Sequence, residues 1–287
     1  MKLEGRRTSE NVDDRRSRSG VKTAGLGIGG VVIVAIITLL MGGDIGDVAN
    51  VVTSQMGNSI QTETGYTPSA EENAMATFAS RILAGTEDVW KKEFAKMGRK
   101  YVPPKMVLFT RATSSGCGSA SSQTGPFYCP ADQTVYIDLS FFDQMKGQLG
   151  AGGDFAYAYV IAHEVGHHVQ YLLGVLDKVH QMQSRASQKE GNQINVRLEL
   201  QADFYAGIWA YHDNQMYNSL EQGDIEEGLN AASAIGDDRL QMKSQGYTVP
   251  DSFNHGTSAQ RVRWLKKGAS RGNVADGDTF SPDYTSL

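Results

Sequence analysis

The feature that most constrains this chain is a helix-length segment carrying two histidines four residues apart. Residues 155–173 are mostly apolar, and they lie between Asp154, a good helix N-cap, and Gly174, a good C-terminal cap residue. The segment contains His163-Glu164-Val165-Gly166-His167, an HExxH pattern. Residues at i and i+4 share one helical face about 6 Å apart, so both imidazoles can bind one zinc ion while Glu164 borders the position of a water. The pattern predicts two metal ligands and a general base.

Two histidines leave a catalytic zinc site incomplete, because such sites usually have three protein ligands and an open position. The metzincin class requires Gly and His where this chain has Gln170 and Leu173, so that class is excluded. A second helix, predicted over 195–212, carries Glu199 and Asp203 on one face. Glu199 can bind the metal, and Asp203 can accept the Nδ1–H of a ligand histidine and fix its tautomer. The alternative is a solvated helix face with two acids.

His255 is the candidate for a further catalytic role, directly before the last predicted helix, 258–267. It could donate to the oxyanion of a tetrahedral intermediate, or it could be a surface histidine that flanks the helix. The arginines that could serve likewise, or could pair with the acids of the second helix, are Arg239, Arg261 and Arg263. The other histidines, expected in the polar core, at its rim or on the surface, are His168, His180 and His212.

An uncharged run, Thr23–Gly43, divides the chain into two charge regimes. At about 1.5 Å per residue it is long enough to cross a hydrocarbon core of roughly 30 Å, although a cleaved signal peptide or a buried helix are alternatives. Residues 1–22 carry a formal charge of +3 and residues 23–287 carry −8. The positive-inside rule therefore predicts a cytoplasmic N-terminus and an exported domain. The acidic balance, without a basic stripe, argues against nucleic-acid binding.

The two cysteines, Cys117 and Cys129, lie in a Gly/Ser-rich stretch of the predicted exported part. An even pair in an exported protein is most simply a disulfide. A reactive thiol or a metal site is the alternative, but no histidine lies near either cysteine in the sequence. We therefore predict a Cys117–Cys129 disulfide.

Hydrophobic periodicity predicts helices over most of the remaining chain, beginning with 70–98, where Gly85 allows a break. Two short runs, 106–110 and 134–139, are predicted to be strands that pair across the cysteine loop. The expected fold is α+β, mainly helical, with a small antiparallel sheet and one preceding transmembrane helix. The predicted divisions are an N-terminus 1–22, an anchor 23–43, a linker 44–68, a domain 69–270 and a surface tail 271–287.

Five segments of the chain resemble a bacterial family of neutral zinc metallopeptidases. They are GRRTSENVDDRR, SGCGSASSQTGPFYCPADQTVYIDLSFF, VIAHEVGHHVQ, RLELQADFYAGIWA and FNHGTSAQRVRW. The resemblance implies a membrane-anchored zincin of the gluzincin type in the bacterial inner membrane, with its domain periplasmic or extracellular. It implies that His163, His167 and Glu199 are ligands of Zn²⁺ and that Glu164 is the catalytic base.

The expected reaction is hydrolysis of a peptide or protein substrate by a water that zinc activates, with Glu164 as proton acceptor. By analogy with zincins, the strand 134–139 is expected to present its edge to an extended substrate. One alternative is an envelope scaffold or chaperone-like protein with a structural zinc, which would need four protein ligands. Another is a zinc hydrolase of a non-peptide amide, such as a cell-wall bond.

Overall fold

The computed structural model describes residues 1–17 and 66–287. The predicted membrane span, 23–43, and most of the predicted linker, 44–68, lie outside the described residues. Within the described part, no helix combines the length and the apolar composition that crossing a membrane would need.

The described residues form an α+β fold in which helices dominate, as predicted. The strands are β1 (Val12–Asp14), β2 (Lys105–Phe109), β3 (Ala112–Ser115), β4 (Gly118–Ser121), β5 (Phe127–Cys129) and β6 (Thr134–Asp138). The helices are α1 (Ala70–Lys96), α2 (Ser140–Leu149), α3 (Asp154–Leu173), α4 (Val175–Gln183), α5 (Gln188–Tyr217), α6 (Asp224–Ala234), α7 (Asp237–Gln245) and α8 (Ser258–Arg271).

The helix that carries HExxH has almost the predicted bounds. Gly153 is the N-cap of α3, and Asp154 lies in the first turn, where its charge complements the helix dipole. Gly174 ends the helix in the left-handed region, with φ of 76°, which glycine adopts without strain. Almost the whole helix is buried, and it packs against α5, α6 and α1. It is therefore the central helix of the domain.

Two helices continue through a glycine without a break. The predicted break at Gly85 is absent, and α1 is continuous. The ion pair of Arg6 with Asp213 packs against Gly85. A Cβ added at Gly85 would lie 2.6 Å from a guanidinium nitrogen of Arg6 and 2.7 Å from a carboxylate oxygen of Asp213. Helix α5 begins at Gln188, before the predicted residue 195, and it includes Gly191. A capping box formed by Ser187 and Glu190 begins α5 before that glycine, so the helix passes through it.

The main sheet is mixed and not antiparallel as predicted, whereas β3 and β4 form a separate small antiparallel sheet. Its strand order is β1-β2-β6-β5, with β1, β2 and β6 parallel and only β5 antiparallel to its neighbour. The predicted strands β2 and β6 do pair across the cysteine loop, but in parallel, because β3, β4 and β5 intervene and return the chain to the starting edge. A parallel pair requires such a long crossover connection.

Residues 1–17 belong to the same folded body as the domain. Strand β1 pairs with β2, and the Arg6 guanidinium donates to the carboxylate of Asp213 on α5 at 2.5 and 2.9 Å. The Ser9 hydroxyl donates to buried Glu87 on α1. The N-terminal segment therefore completes an edge of the sheet and covers α1.

The C-terminal residues also pack on the domain rather than forming the expected surface tail. Thr279 is fully buried, and its hydroxyl donates to the carbonyl of Arg197 on α5. Arg197 in turn donates to the carbonyl of Pro282. Leu287 is also buried. These contacts cover the outer side of α5.

Candidate metal centre

Helices α3 and α5 bring together the three predicted metal ligands. The Nε2 atom of His163 lies 3.2 Å from one oxygen of the Glu199 carboxylate, and the Nε2 atom of His167 lies 3.6 Å from the other. One ligand atom of each residue lies within 4.8 Å of the others. Two imidazole nitrogens and one carboxylate oxygen form a donor set that suits zinc and leaves a fourth position open.

A glycine in the motif permits this convergence. A Cβ on Gly166 would lie 3.0 Å from the carbonyl oxygen and 3.2 Å from the Cα of Ala202 on α5. The two helices are therefore in backbone contact one turn from the metal ligands. This close approach brings the short Glu199 side chain to the histidines on the neighbouring helix.

Asp203 contacts His163, one of the two histidines for which the sequence predicts such a partner. The two side chains are hydrogen-bonded, with His163 Nδ1 at 2.8 Å from Asp203 Oδ1. A proton on Nδ1 directs the lone pair of Nε2 towards Glu199. Asp203 is fully buried, and Arg261 on α8 donates two hydrogen bonds to it, at 2.8 and 2.9 Å. Of the two roles that the sequence allowed for Arg261, pairing with an acid of the second helix is therefore the one observed.

Tyr159 completes this buried network, and sequence reasoning missed it. Its hydroxyl donates to Asp203 Oδ1 at 2.6 Å and accepts from Arg261 at 3.2 Å. The available signal was its position four residues before His163, which places it on the same face of the helix. A tyrosine at such a spacing is common in apolar cores, so the sequence alone gave no reason to choose it.

Gln170 orients the second histidine, and sequence reasoning missed this role too. Its side-chain oxygen lies 2.9 Å from His167 Nδ1, and its side-chain nitrogen donates to the Leu198 carbonyl at 2.7 Å. The amide is fully buried. Because it is three residues after His167, it lies on the same face of α3. The two histidines of the HExxH pattern thus have different partners, a carboxylate and an amide.

The charges around the centre favour a cation between the histidines and Glu199. Burial alone would lower the pKa of His163, but Asp203 and Glu199 outweigh it and raise that pKa to about 10. Burial would raise the pKa of Asp203, but Arg261 and His163 hold it at about 2. Burial also opposes ionisation of Glu199, yet the facing histidines keep its pKa well below the usual range. A positive charge is therefore stabilised here, whether a proton or a metal ion carries it.

Glu164, the predicted base, is buried next to the three ligands. Burial is the main cause that raises its pKa above the usual value, although the neighbouring His163 and His167 oppose the shift. The backbone N–H of Tyr128 in β5 donates to its carboxylate. Glu164 therefore connects the metal-binding helix to the edge of the sheet.

His255 lies in the wall of the same cavity, so the structure brings it near the centre. Its Nδ1 atom is 3.3 Å from Asp237 Oδ1. The other oxygen of Asp237 accepts the backbone N–H groups of residues 254–256, at 2.7–2.9 Å. Burial would lower the pKa of His255, but Asp237 and Glu199 outweigh it and raise that pKa. Asp237, which the sequence analysis did not single out, fixes this loop.

The centre lies in a cavity of about 770 Å³. Residues 122–128, which lead into and include most of the edge strand β5, form part of its wall. Strand β6 is internal, between β2 and β5, so the expectation that strand 134–139 presents its edge to a substrate is wrong. The strand at the edge beside the cavity is β5, because the chain turns back after Cys129 and adds β6 on the inner side.

Two further predictions concern residues outside the centre. The Cys117–Cys129 disulfide is present, and it joins the β3–β4 turn to β5. His168 is a fully buried core residue, whose ring is hydrogen-bonded to the hydroxyl of Tyr128 and the carbonyl of Val102. Burial lowers its pKa to about 4, so the ring is neutral. His212, by contrast, contacts the Gly272 carbonyl and is not part of the centre.

Comparison with known proteins gives the family. Residues 1–280 match the model of a family described as "Putative neutral zinc metallopeptidase". The chain belongs to this family. It is 52% identical to "Uncharacterized protein YpfJ" of Escherichia coli strain K12 over 98% of this chain and 99% of that protein.

A more distant relative matches a smaller part of the chain. An uncharacterised protein of Mycobacterium tuberculosis strain H37Rv is 45% identical over 63% of this chain and 64% of its own length. No solved structure matches the chain. The match over nearly the whole chain therefore assigns the described fold to a family of neutral zinc metallopeptidases.

Proposed function

We propose that this protein is a zinc-dependent peptidase in which Glu164 is the general base. The observation that carries the proposal is the convergence of two imidazoles and a carboxylate, with Glu164 beside them, in a cavity large enough for a peptide segment. Membership of the neutral zinc metallopeptidase family supports the same activity. The substrate is accordingly a peptide or a protein.

Zinc held by His163, His167 and Glu199 would supply Lewis acidity, which activates a water and polarises a carbonyl. Glu164 accepts the proton of the attacking water and passes it to the leaving amine. Asp203 and Gln170 hold the two imidazoles in the tautomers that leave both Nε2 atoms available for binding.

His255 is proposed to stabilise the developing oxyanion. Its Nδ1 faces Asp237, which leaves Nε2 as the ring nitrogen available to a substrate in the cavity that His255 lines. A preorganised donor of this kind costs no rearrangement during the reaction, because Asp237 already holds the loop through three backbone hydrogen bonds.

A structural zinc site is less well supported than a catalytic one. Structural sites are closed by four protein ligands, usually with cysteine among them. Within residues 1–17 and 66–287, the metal-binding group contains three residues. Both cysteines are engaged in the disulfide. These observations favour an open fourth position.

Attachment to the bacterial inner membrane through residues 23–43 is the part of the proposal that depends on sequence alone. The charge asymmetry favours export of the domain to the periplasmic or extracellular side. A single crossing by residues 23–43 would separate residues 1–17 from the domain, so this proposal and the pairing of β1 with β2 are alternatives that a labelling experiment distinguishes.

The test compares the purified protein with a Glu164→Gln variant. Metal content and hydrolysis of an unbiased peptide mixture are measured for both, and for Glu226→Gln, which changes an exposed glutamate on α6. We expect near-stoichiometric zinc in all three proteins. Hydrolysis should fall by at least about 100-fold in Glu164→Gln only, because general-base catalysis contributes about that much.

Three results would contradict the proposal. Full activity of Glu164→Gln would show that this residue is not the general base. Absence of zinc, with no hydrolysis after zinc is added, would show that the protein is not a zinc-dependent enzyme. Cleavage of a non-peptide amide, but of no peptide, would show that the same centre acts on another class of substrate.

A further inference from the structure

The walls of the cavity are mainly apolar, whereas the metal centre is polar. One wall is the face of α2 that carries Phe141, Met145 and Leu149, spaced four residues apart. Ile235, which follows α6, and Leu240 on α7 also line the cavity. Apolar side chains thus surround the space next to the metal ligands.

Charged groups in the lining are few, and most are already paired. Among the described residues, Glu164 and Glu199 are the only acids that line the cavity, and both belong to the centre. Arg261 is neutralised by Asp203. Lys243, an exposed lysine, donates to the carbonyl of Gln148 on α2. A basic substrate side chain that enters this space would lose its hydration without gaining an ion pair outside the centre, which is unfavourable.

In the described part of the chain, strand β5 has a free edge with which an extended substrate can pair. Strand β5 has β6 on one side only, and residues 122–128 line the cavity. The backbone of Tyr128 in this strand lies next to the Glu164 carboxylate. An extended peptide that pairs with this edge would pass the base and the metal ligands, and alternate side chains would face the apolar walls.

We propose that the cavity selects peptides with a bulky apolar side chain next to the scissile bond, and that Phe141, Met145 and Leu240 determine this preference. The inference rests on the proposed peptidase function. The sequence did not predict it, because α2 and α7 are about 100 residues apart along the chain and only the tertiary structure places them around one cavity.

The test uses a peptide library in which the positions flanking a central bond are varied. Hydrolysis is measured with the zinc-loaded protein, and binding of the same peptides is measured with Glu164→Gln. We expect Leu, Ile, Phe and Met to be preferred over Asp and Lys by at least about 10-fold, which corresponds to burial of one large apolar side chain.

Leu240→Lys is the specific variant and Met242→Lys is its matched control. Both change an apolar residue of α7 to lysine, but Leu240 lines the cavity, whereas Met242 is 53% exposed and does not line it. Leu240→Lys should lose most of the apolar preference and accept acidic residues, while Met242→Lys should retain the original preference. Phe141→Ala, a second cavity variant, should weaken binding of the largest side chains most.

The outcomes separate this inference from the proposed function. Equal binding of all side chains, or equal effects of Leu240→Lys and Met242→Lys in folded proteins, would overturn the inference even if peptides are cleaved. Apolar-selective binding without any hydrolysis would support the inference and contradict the peptidase function.

Discussion

At the residue scale, the central feature is a buried carboxylate shared by three partners. Asp203 interacts with His163, Tyr159 and Arg261, and it is fully buried. Without it, Arg261 would lose its buried counter-charge and His163 would lose the partner of its Nδ1 atom. Its proposed effect on catalysis is indirect, through the orientation of His163.

Asp203→Asn should weaken zinc binding and destabilise the fold. The amide keeps the shape but leaves the buried Arg261 without a counter-charge, so we expect a loss of about 3 kcal/mol in the free energy of unfolding. Zinc affinity should fall by roughly 10–100-fold, as is typical when the partner of a ligand histidine is lost. Urea unfolding and competition with a chelator measure the two effects.

The control is Asp177→Asn, which makes the same change at an exposed position of α4. It should leave both quantities nearly unchanged. Zinc affinity in Asp203→Asn equal to that of the control would show that this carboxylate does not orient the ligand.

At the scale of elements, the contact between α3 and α5 determines whether a third ligand is available. The two helices are in backbone contact at Gly166 and Ala202, and the ligands lie on either side of this contact. A similar approach occurs between α5 and α8, where an added Cβ on Gly207 would lie 2.3 Å from the Leu265 carbonyl. Helix α5 is thus held closely on two sides.

Gly166→Ala should separate α3 and α5 by a few tenths of an ångström. The added methyl group would contact the Ala202 backbone at 3.0–3.2 Å, so we expect a destabilisation of about 1–3 kcal/mol and weaker zinc binding. Thermal unfolding with and without zinc measures both. The increase in unfolding temperature that zinc produces should be smaller in this variant than in the unchanged protein.

Gly191→Ala in α5 is the matched control. A Cβ at this position meets nothing within 4 Å, and the residue lies inside the helix. The change should be neutral or stabilise the protein by up to about 1 kcal/mol, because alanine has the higher helix propensity. Equal behaviour of the two variants would contradict the role of the close approach.

At the scale of the whole molecule, the N-terminal segment constrains topology. Residues 1–17 contribute β1 to the sheet and Arg6 to an ion pair with buried Asp213. Strand pairing and a buried ion pair require both partners in one compartment. The orientation predicted from charge asymmetry would place residues 1–22 in the cytoplasm and the domain outside, so that orientation and the pairing of β1 with β2 exclude each other.

We therefore expect residues 1–17 and the domain to be labelled from the same side of the membrane. Single cysteines at Glu4 and at Lys178, two exposed positions, can be tested with a membrane-impermeant thiol reagent on intact and on lysed cells. The native cysteines form a disulfide and do not react. Both introduced cysteines should show the same protection. Labelling of only one of them in intact cells would contradict the packing of β1 on the domain.

The sequence by itself determined the local chemistry of the centre. The spacing of His163 and His167 fixes them on one helical face, and Glu199 and Asp203 follow the same rule on a second helix. The disulfide followed from two cysteines near each other in the chain. These features are local, because helical periodicity and short loops are set by neighbouring residues.

Only the tertiary structure decided the features that depend on distant segments. Parallel pairing of β2 with β6, the edge position of β5 and the docking of residues 1–17 all depend on which surfaces become buried together. The roles of Tyr159, Gln170 and Asp237 depend on partners from other turns or elements. Burial and packing select these contacts, and the periodicity of one segment does not show which distant segment it will contact.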